Sequence, residues 1–295
     1  MSAAIRIAPV TVGAGKRRVV FGGRLPAMIL GPCVIESRAH ALKMAGLVAK
    51  AAAAAGVGVV FKASFDKANR TSGASFRGQG IDEGLAVLAE VRSRTGLPVT
   101  TDVHETWQVE RAAAVVDLLQ VPALLCRQTD LVLACAASGV PTSIKKGQFL
   151  APWDCRNIVD KFRAAPTAPG AAADRLILIE RGTSFGYNTL VNDFRGLAIM
   201  RSLGVPVVFD ATHSVQAPGG LGDRSGGAGH FAPLLARAAM AVGVEGVFME
   251  THDRPEKALS DGPNNVPTRH LPAVLRQLRA IHDAIGRPAP PTGWA

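Results

Sequence analysis

Short apolar runs recur along the chain, each flanked by turn-forming residues. Between them lie longer Ala- and Leu-rich stretches with helical spacing. The runs are "AMILG" (27–31), "GVVFK" (58–62), "PVTTD" (98–102), "DLLQV" (117–121), "PTSIK" (141–145), "RLILIE" (175–180), "PVVFD" (206–210) and "GVFME" (246–250). Clear helical stretches are "RAHALKMAGLVAKAAAAAG", "IDEGLAVLAEVRSRTG" and "FAPLLARAAMAVG", each closed by the glycine common just past a helix end. Eight strands alternating with helices over about 250 residues predict a (β/α)8 TIM barrel in the α/β class. Ahead of it, "IRIAPVTVGAGKRRVVFGG" (5–23) alternates about a glycine turn and reads as a β-hairpin placed to cap the barrel bottom. One domain over residues 1–295 is expected, with the Pro-rich tail "GRPAPPTGWA" (286–295) disordered.

A doubly wound open sheet is the rival fold, and the strand ends decide against it. Nearly every run ends on or beside a polar residue: Cys33, Lys62, Asp102, Gln120, Lys145, Arg181, Asp210 with His213, and Glu250. In a barrel these ends converge on one face, where active sites lie. A charge at one strand exit needs no function. This mixture at all eight points to a site.

Composition narrows the function. At 295 residues and 48% hydrophobic, the chain can bury a large core. No apolar run approaches a membrane span, and the N-terminus lacks the pattern of an export signal, so a cytoplasmic enzyme with no membrane partner is expected. Cys33, Cys126, Cys135 and Cys155 form no Cys-x-x-Cys and read as thiols or ligands rather than disulfides. The net charge of +10 raises nucleic-acid binding. There is no run of five or six Lys/Arg, and only 5% of residues are aromatic, so no nucleic-acid partner is expected. The basic residues sit instead in compact motifs, "FKASFDKANR", "SIKKGQF" and "ERGTSFG", which suit small phosphorylated or carboxylated substrates.

"GPCVIES" (31–37) raises the sharpest chemical question. Cys33 can be packing, a nucleophile or a metal ligand. His213 follows the seventh run, Glu250 ends the eighth, and Asp261 lies eleven residues further on. Together they form a mixed soft and hard donor set for a divalent transition ion. Singly, each has an ordinary role: packing for the thiol, hydrogen bonding for the imidazole, turn formation for the aspartate in "SDGP". Spacing alone leaves both readings open.

Taken in order, "GPCVIES", "FKASFDKANRTS", "TDVHE", "QVPALLCRQTDL", "IKKGQFLAPWD", "ERGTSFGYNTLVNDFR", "FDATHSVQ" and "ETHDRPEKALSDGPNN" resemble the 3-deoxy-D-manno-octulosonate 8-phosphate synthase family over roughly residues 18–285. The resemblance implies a barrel with an N-terminal hairpin, assembled as a homotetramer. It implies condensation of phosphoenolpyruvate with arabinose 5-phosphate and release of phosphate, in lipopolysaccharide synthesis. The metal-independent class of that family carries Asn where this chain has Cys33, in motifs like "GMNVLES". The chain is therefore similar to the metal-dependent class, which implies Cys33, His213, Glu250 and Asp261 as ligands of a divalent ion (Fe, Mn, Co, Zn or Cd). Lys67 would join Cys33, His213 and Asp261 in the catalytic centre. Lys67, Lys145 and Arg181 would hold phosphoenolpyruvate, with Lys62, Ser64 and Gln120 nearby. Asn69, Arg70 and Thr71 would bind arabinose 5-phosphate, with Asp102 near its hydroxyls. Arg127 would reach the phosphate in a neighbouring subunit's site. Thr71 departs from the family's usual Ser but keeps the hydroxyl.

The related 3-deoxy-arabino-heptulosonate 7-phosphate synthases use erythrose 4-phosphate and share the metal donor set, so the metal does not separate the two. Their acceptor loop carries Pro in a "KPRTS"-like motif. "KANRTS" here places Ala68 and Asn69 before Arg70, and Asn69 can hydrogen-bond the extra hydroxyl of a five-carbon sugar.

Overall fold

Eight parallel strands close on themselves in this computed structural model, which describes residues 5–68, 72–73, 75–166, 171–172, 174–220, 225–286 and 288–290. They are β1 (Ala27–Gly31), β2 (Gly58–Lys62), β3 (Val99–Asp102), β4 (Leu118–Val121), β5 (Thr142–Lys145), β6 (Leu176–Glu180), β7 (Val207–Asp210) and β8 (Gly246–His252). Each pairs with its successor, and β8 pairs with both β7 and β1, so no edge is left open. A helix follows every strand: α1 (Arg38–Ala55), α2 (Ile81–Thr95), α3 (Thr106–Ala113), α4 (Thr129–Ala137), α5 (Cys155–Ala164), α6 (Arg195–Arg201), α7 (Ala232–Val242) and α8 (Leu271–Ile285). The chain is a (β/α)8 barrel, as its apolar pattern predicts.

Five strands start one residue later than the apolar runs suggest, and β8 runs two residues longer. Three of the late starts have Pro at the run's first position: Pro98, Pro141 and Pro206. Proline has no N–H to give to a ladder.

The strands are apolar on both faces because helices cover the outside and a second core fills the inside. Met28 and Leu30 of β1 face the helices, whereas Ala27 and Ile29 face the barrel interior. The interior core also takes Val60, Leu118, Ile177, Ile179, Val208 and Phe248. Side chains alternate along a strand, so the positions two beyond these inward residues also face inward. Those positions include Lys62, Gln120, Arg181, Asp210 and Glu250. The last inward-facing position of strand after strand is polar, which is how the site is built.

The hairpin pairs Val10–Val12 with Val19–Phe21 in antiparallel register. Val10, Val12, Val19 and Phe21 are buried in the interior core and close the barrel at its N-terminal end, as expected. Of the Pro-rich tail, Pro288 accepts a hydrogen bond from Arg201 Nη2 at 2.9 Å.

β1 and β2 approach unusually closely at Gly31. A Cβ there would lie 1.9 Å from the Lys62 carbonyl oxygen. Backbone cannot yield as a flexible side chain can, so Gly31→Ala is expected to destabilise the protein by at least ~3 kcal/mol. Urea unfolding of the purified variant checks this; a loss below ~1 kcal/mol would show that the strands can part.

Candidate active site

The C-terminal ends of the strands surround a cavity of about 1020 Å³. Lys62, Lys67, Asp102, Lys145, Arg181, His213 and Asp261 line it. Cys33 and Glu250 lie at its floor, 2% and 1% exposed.

Lys62 ties the floor together. Its Nζ, buried at the end of β2, donates to the Cys33 carbonyl and to Glu250 Oε1, both at 2.7 Å. Lys67 Nζ lies 3.7 Å from Asp102 and 3.9 Å from Glu250. Lys145 Nζ donates to Asp210 Oδ2 at 2.6 Å and sits 3.8 Å above the Phe248 ring, a cation–π contact. Arg181 Nη2 donates to Gln216 Oε1 at 2.9 Å, while Nη1 is buried with no hydrogen-bond partner among the described residues. That unmet donor marks a place for an anionic oxygen.

Burial alone would raise the carboxyls of Asp102, Asp210 and Glu250. The lysines around them, with His213 beside Asp210 and Glu250, outweigh it and hold all three well below the usual carboxylate range. Burial would lower Lys67, but Cys33, Asp102 and Glu250 hold it raised. Burial pushes the Cys33 thiol up to about 12, and Glu250 and Asp261 add to the rise. Cys33 is thus held as a neutral thiol despite Lys67 and Lys62 nearby, which argues against a free nucleophile.

The four expected metal ligands converge. One donor atom each from Cys33, Glu250 and Asp261 lie within 4.8 Å of one another. His213 Nε2 is 3.8 Å from Glu250 Oε1 and from Asp261 Oδ2. The far ring nitrogen, Nδ1, lies 2.8 Å from Asp210 Oδ2. A carboxylate so placed draws the ring proton to Nδ1 and turns the Nε2 lone pair toward the cluster. Glu250 Oε2 is buried without a partner. One thiol, one imidazole nitrogen and two carboxylates, one with an unused oxygen, fit a divalent transition ion.

The other expected residues divide. Ser64 and Gln120 are buried beneath the cavity, and both donate to Asp102, fixing its carboxylate rather than lining the site. Arg127 is exposed and does not line its own chain's cavity. Asn69, Arg70 and Thr71 lie outside the described residues. Four residues at the site were not singled out from the sequence as substrate, catalytic or metal residues. Asp210 holds both Lys145 and His213. Gln216 links Arg181 to Asp261 through its amide. The Ser260 hydroxyl lies 2.8 Å from Cys33 Sγ. His104 lines the cavity, its pKa lowered by burial. All four stand in the quoted motifs, but only neighbours in space reveal their work.

These features define a (β/α)8-barrel protein with a metal-capable site, lined by paired lysines, arginine and carboxylates, at the C-terminal face of its barrel. Residues 8–285 match the DAHP synthetase I family. Among similar proteins, the 2-dehydro-3-deoxyphosphooctonate aldolase of Rhodopseudomonas palustris (strain BisB5) is 56% identical over 295 residues, covering 99% of each chain. The protein of that name from Bordetella petrii is 60% identical over 251 residues, 85% of this chain and 88% of its own. That of Synechococcus sp. is 54% identical over 278 residues, 94% of this chain and 93% of its own. The chain belongs to the DAHP synthetase I family.

Because the folded-state pKa values of Asp102, Asp210 and Glu250 are lowered, an unfolded chain takes up protons before the folded one as pH falls. Their contribution is present above the unfolded carboxylate pKa of ~4 and is lost as pH drops below it. Asp210→Asn removes one such group. Its stability is expected to fall less steeply below pH ~4, by about 1.4 kcal/mol per pH unit. Urea melts of metal-free protein across that range measure the slope; identical slopes would mean Asp210 is not held ionised.

Proposed function

We infer that the chain condenses phosphoenolpyruvate with D-arabinose 5-phosphate and water, giving 3-deoxy-D-manno-octulosonate 8-phosphate and inorganic phosphate for lipopolysaccharide synthesis. The observation that carries this reading is the convergence of Lys67, Lys145 and Arg181 on one cavity beside the Cys33–His213–Glu250–Asp261 cluster, with Arg181 Nη1 unmet. The names of the relatives favour the five-carbon acceptor over erythrose 4-phosphate. No helix is long and apolar enough to cross a membrane, among the described residues.

In this reading Lys67, Lys145 and Arg181 hold the phosphate and carboxylate of phosphoenolpyruvate, offsetting its charge with directed donors. C3 of the enol attacks the aldehyde carbon, forming the new C–C bond, and the aldehyde oxygen takes a proton to become a hydroxyl. Water adds its oxygen to C2, and the resulting phosphohemiketal expels phosphate by C–O cleavage to leave the ketone. The protein juxtaposes two phosphorylated molecules that repel one another in water. Asp102, fixed by Ser64 and Gln120, accepts a hydrogen bond from a sugar hydroxyl at a set position. Asn69, Arg70 and Thr71 bind the arabinose 5-phosphate, Asn69 through the sugar's extra hydroxyl, and Arg127, exposed on its own chain, reaches the neighbouring site of a homotetramer.

Cys33, His213, Glu250 and Asp261 would hold a divalent ion. When bound, such an ion supplies a Lewis acid that can polarise a carbonyl or acidify water. Asp210 orients His213 toward it, and Lys62 holds Glu250 in place by Oε1.

Phosphate release should be faster with arabinose 5-phosphate than with erythrose 4-phosphate at equal concentration; the reverse order would overturn the acceptor assignment. Asn69→Ala should weaken turnover of the five-carbon sugar by about 1–3 kcal/mol, as expected for a buried hydroxyl left unpaired. Chelator should abolish activity, a divalent ion should restore it, and Cys33→Ala should lose bound metal by elemental analysis. Full activity in a metal-free preparation would sink the ligand assignment.

A further inference from the structure

Outside the cavity, a second cluster of ionisable groups joins the two ends of the ligand set. Glu36 sits three residues after Cys33, in the turn between β1 and α1. Its Oε1 accepts the Leu259 N–H at 2.9 Å and lies 3.2 Å from His252 Nε2. Its Oε2 lies 3.7 Å from His40 Nδ1. The other side of each imidazole is also occupied: His40 Nε2 is 3.1 Å from Asp253 Oδ1, and His252 Nδ1 accepts the Arg254 N–H at 2.9 Å. Lys43 of α1 closes the group on Asp253 at 2.6 Å.

Glu36, His40 and His252 have the mutual spacing of a metal site. The tautomer speaks against it. Arg254 gives its proton to His252 Nδ1, so the ring's own proton sits on Nε2 and faces Glu36. A nitrogen carrying a proton has no lone pair for a metal. The cluster is a clasp, held by the Leu259–Glu36, His40–Asp253, Lys43–Asp253 and Arg254–His252 hydrogen bonds with the two imidazoles packed against Glu36.

What the clasp grips is the segment carrying Asp261. Leu259 is followed by Ser260, whose hydroxyl meets Cys33 Sγ, and then by Asp261, in the left-handed region at φ 49°. A non-glycine residue holds that conformation only where its surroundings impose it. Asn265 Nδ2 fixes the Asp261 carbonyl at 3.0 Å from the C-terminal side. Glu36 fixes the chain two residues before it, and does so from the turn that bears Cys33.

We infer that Glu36 is a positioning residue, whose carboxylate anchors the Leu259–Asp261 segment so that Asp261 and Cys33 face the same point. The inference rests on the reading of both as metal ligands. What matters is an acceptor of the right reach. Gln keeps an oxygen at that length, Asp is one methylene too short, and Ala has none.

Amide hydrogen exchange and Cd²⁺ affinity, the latter by competition with a chromophoric chelator, test this on the full-length protein. Glu36→Ala and Glu36→Asp should speed exchange at Leu259–Asp261 at least ten-fold, with the barrel strands unchanged. Both should weaken Cd²⁺ binding by about 10–100-fold, the usual cost of losing a residue that orients a ligand. Glu36→Gln should stay within about three-fold of the wild type on both measures. The Asp and Gln variants carry the comparison should the Ala variant not fold. Unchanged exchange in the Asp variant overturns the inference, as does faster exchange with unaltered Cd²⁺ affinity, or a Gln variant as impaired as Asp. If the wild type itself binds no Cd²⁺, the ligand assignment fails instead, and the exchange rates alone then uphold or overturn the anchoring by Glu36.

Discussion

Removing Lys62, Lys145 and Arg181 from water in one basin requires that carboxylates go with them. Each buried ion costs several kcal/mol of lost hydration, returned only by close partners. The barrel meets the demand by parity. Successive side chains point to opposite faces, so a polar residue two beyond the last apolar interior position turns inward at the rim. The strands and the loops after them thus bring both signs of charge to one rim: Lys62 against Glu250, Lys145 against Asp210, Lys67 between Asp102 and Glu250. Four cations, counting Arg181, face four carboxylates, counting Asp261. Such a basin is close to neutral by itself. A divalent ion held by Cys33, His213, Glu250 and Asp261 would add two positive charges, and a thiolate at Cys33 would take back one. The proposed metal and anion sites would then be electrostatically one unit.

Much of this is legible in the sequence because strands buried on both faces appear as unbroken apolar runs. β1 and β2 are bounded as their runs suggest, and β8 differs only by continuing to His252. Cys33, His213, Glu250 and Asp261 come from distant parts of the chain, and barrel closure between β8 and β1 is what brings Glu250 beside Gly31 in register. The count of strands predicts that closure, so the meeting of these four side chains follows from the fold.

What the sequence hides is which polar residue holds which. Asp210 reads as one more strand end, yet it pairs with Lys145 and aims His213. Ser64 and Gln120 read as substrate contacts, and what the strand ends do not reveal is that both donate to Asp102. Ser260 and Glu36 sit in recognisable motifs, but their partners lie more than 200 residues away, Cys33 for Ser260 and Leu259 for Glu36. Such pairings depend on side-chain reach and rotamer across the closed ring, which no local pattern encodes. Arg127 is a different case: it is exposed and does not line its own chain's cavity, so nothing around it within this chain shows its work.

The central claim is that one divalent ion and one trianion share the floor of the barrel mouth. Anomalous diffraction from crystals grown with Cd²⁺ and phosphoenolpyruvate tests it most directly. The expected result is a single strong peak bounded by Cys33 Sγ, His213 Nε2, Glu250 and Asp261, with the phosphoenolpyruvate held by Lys67, Lys145 and Arg181 beside it. A peak among Glu36, His40 and His252 with none at Cys33, or phosphoenolpyruvate bound away from the three cations, would contradict the account.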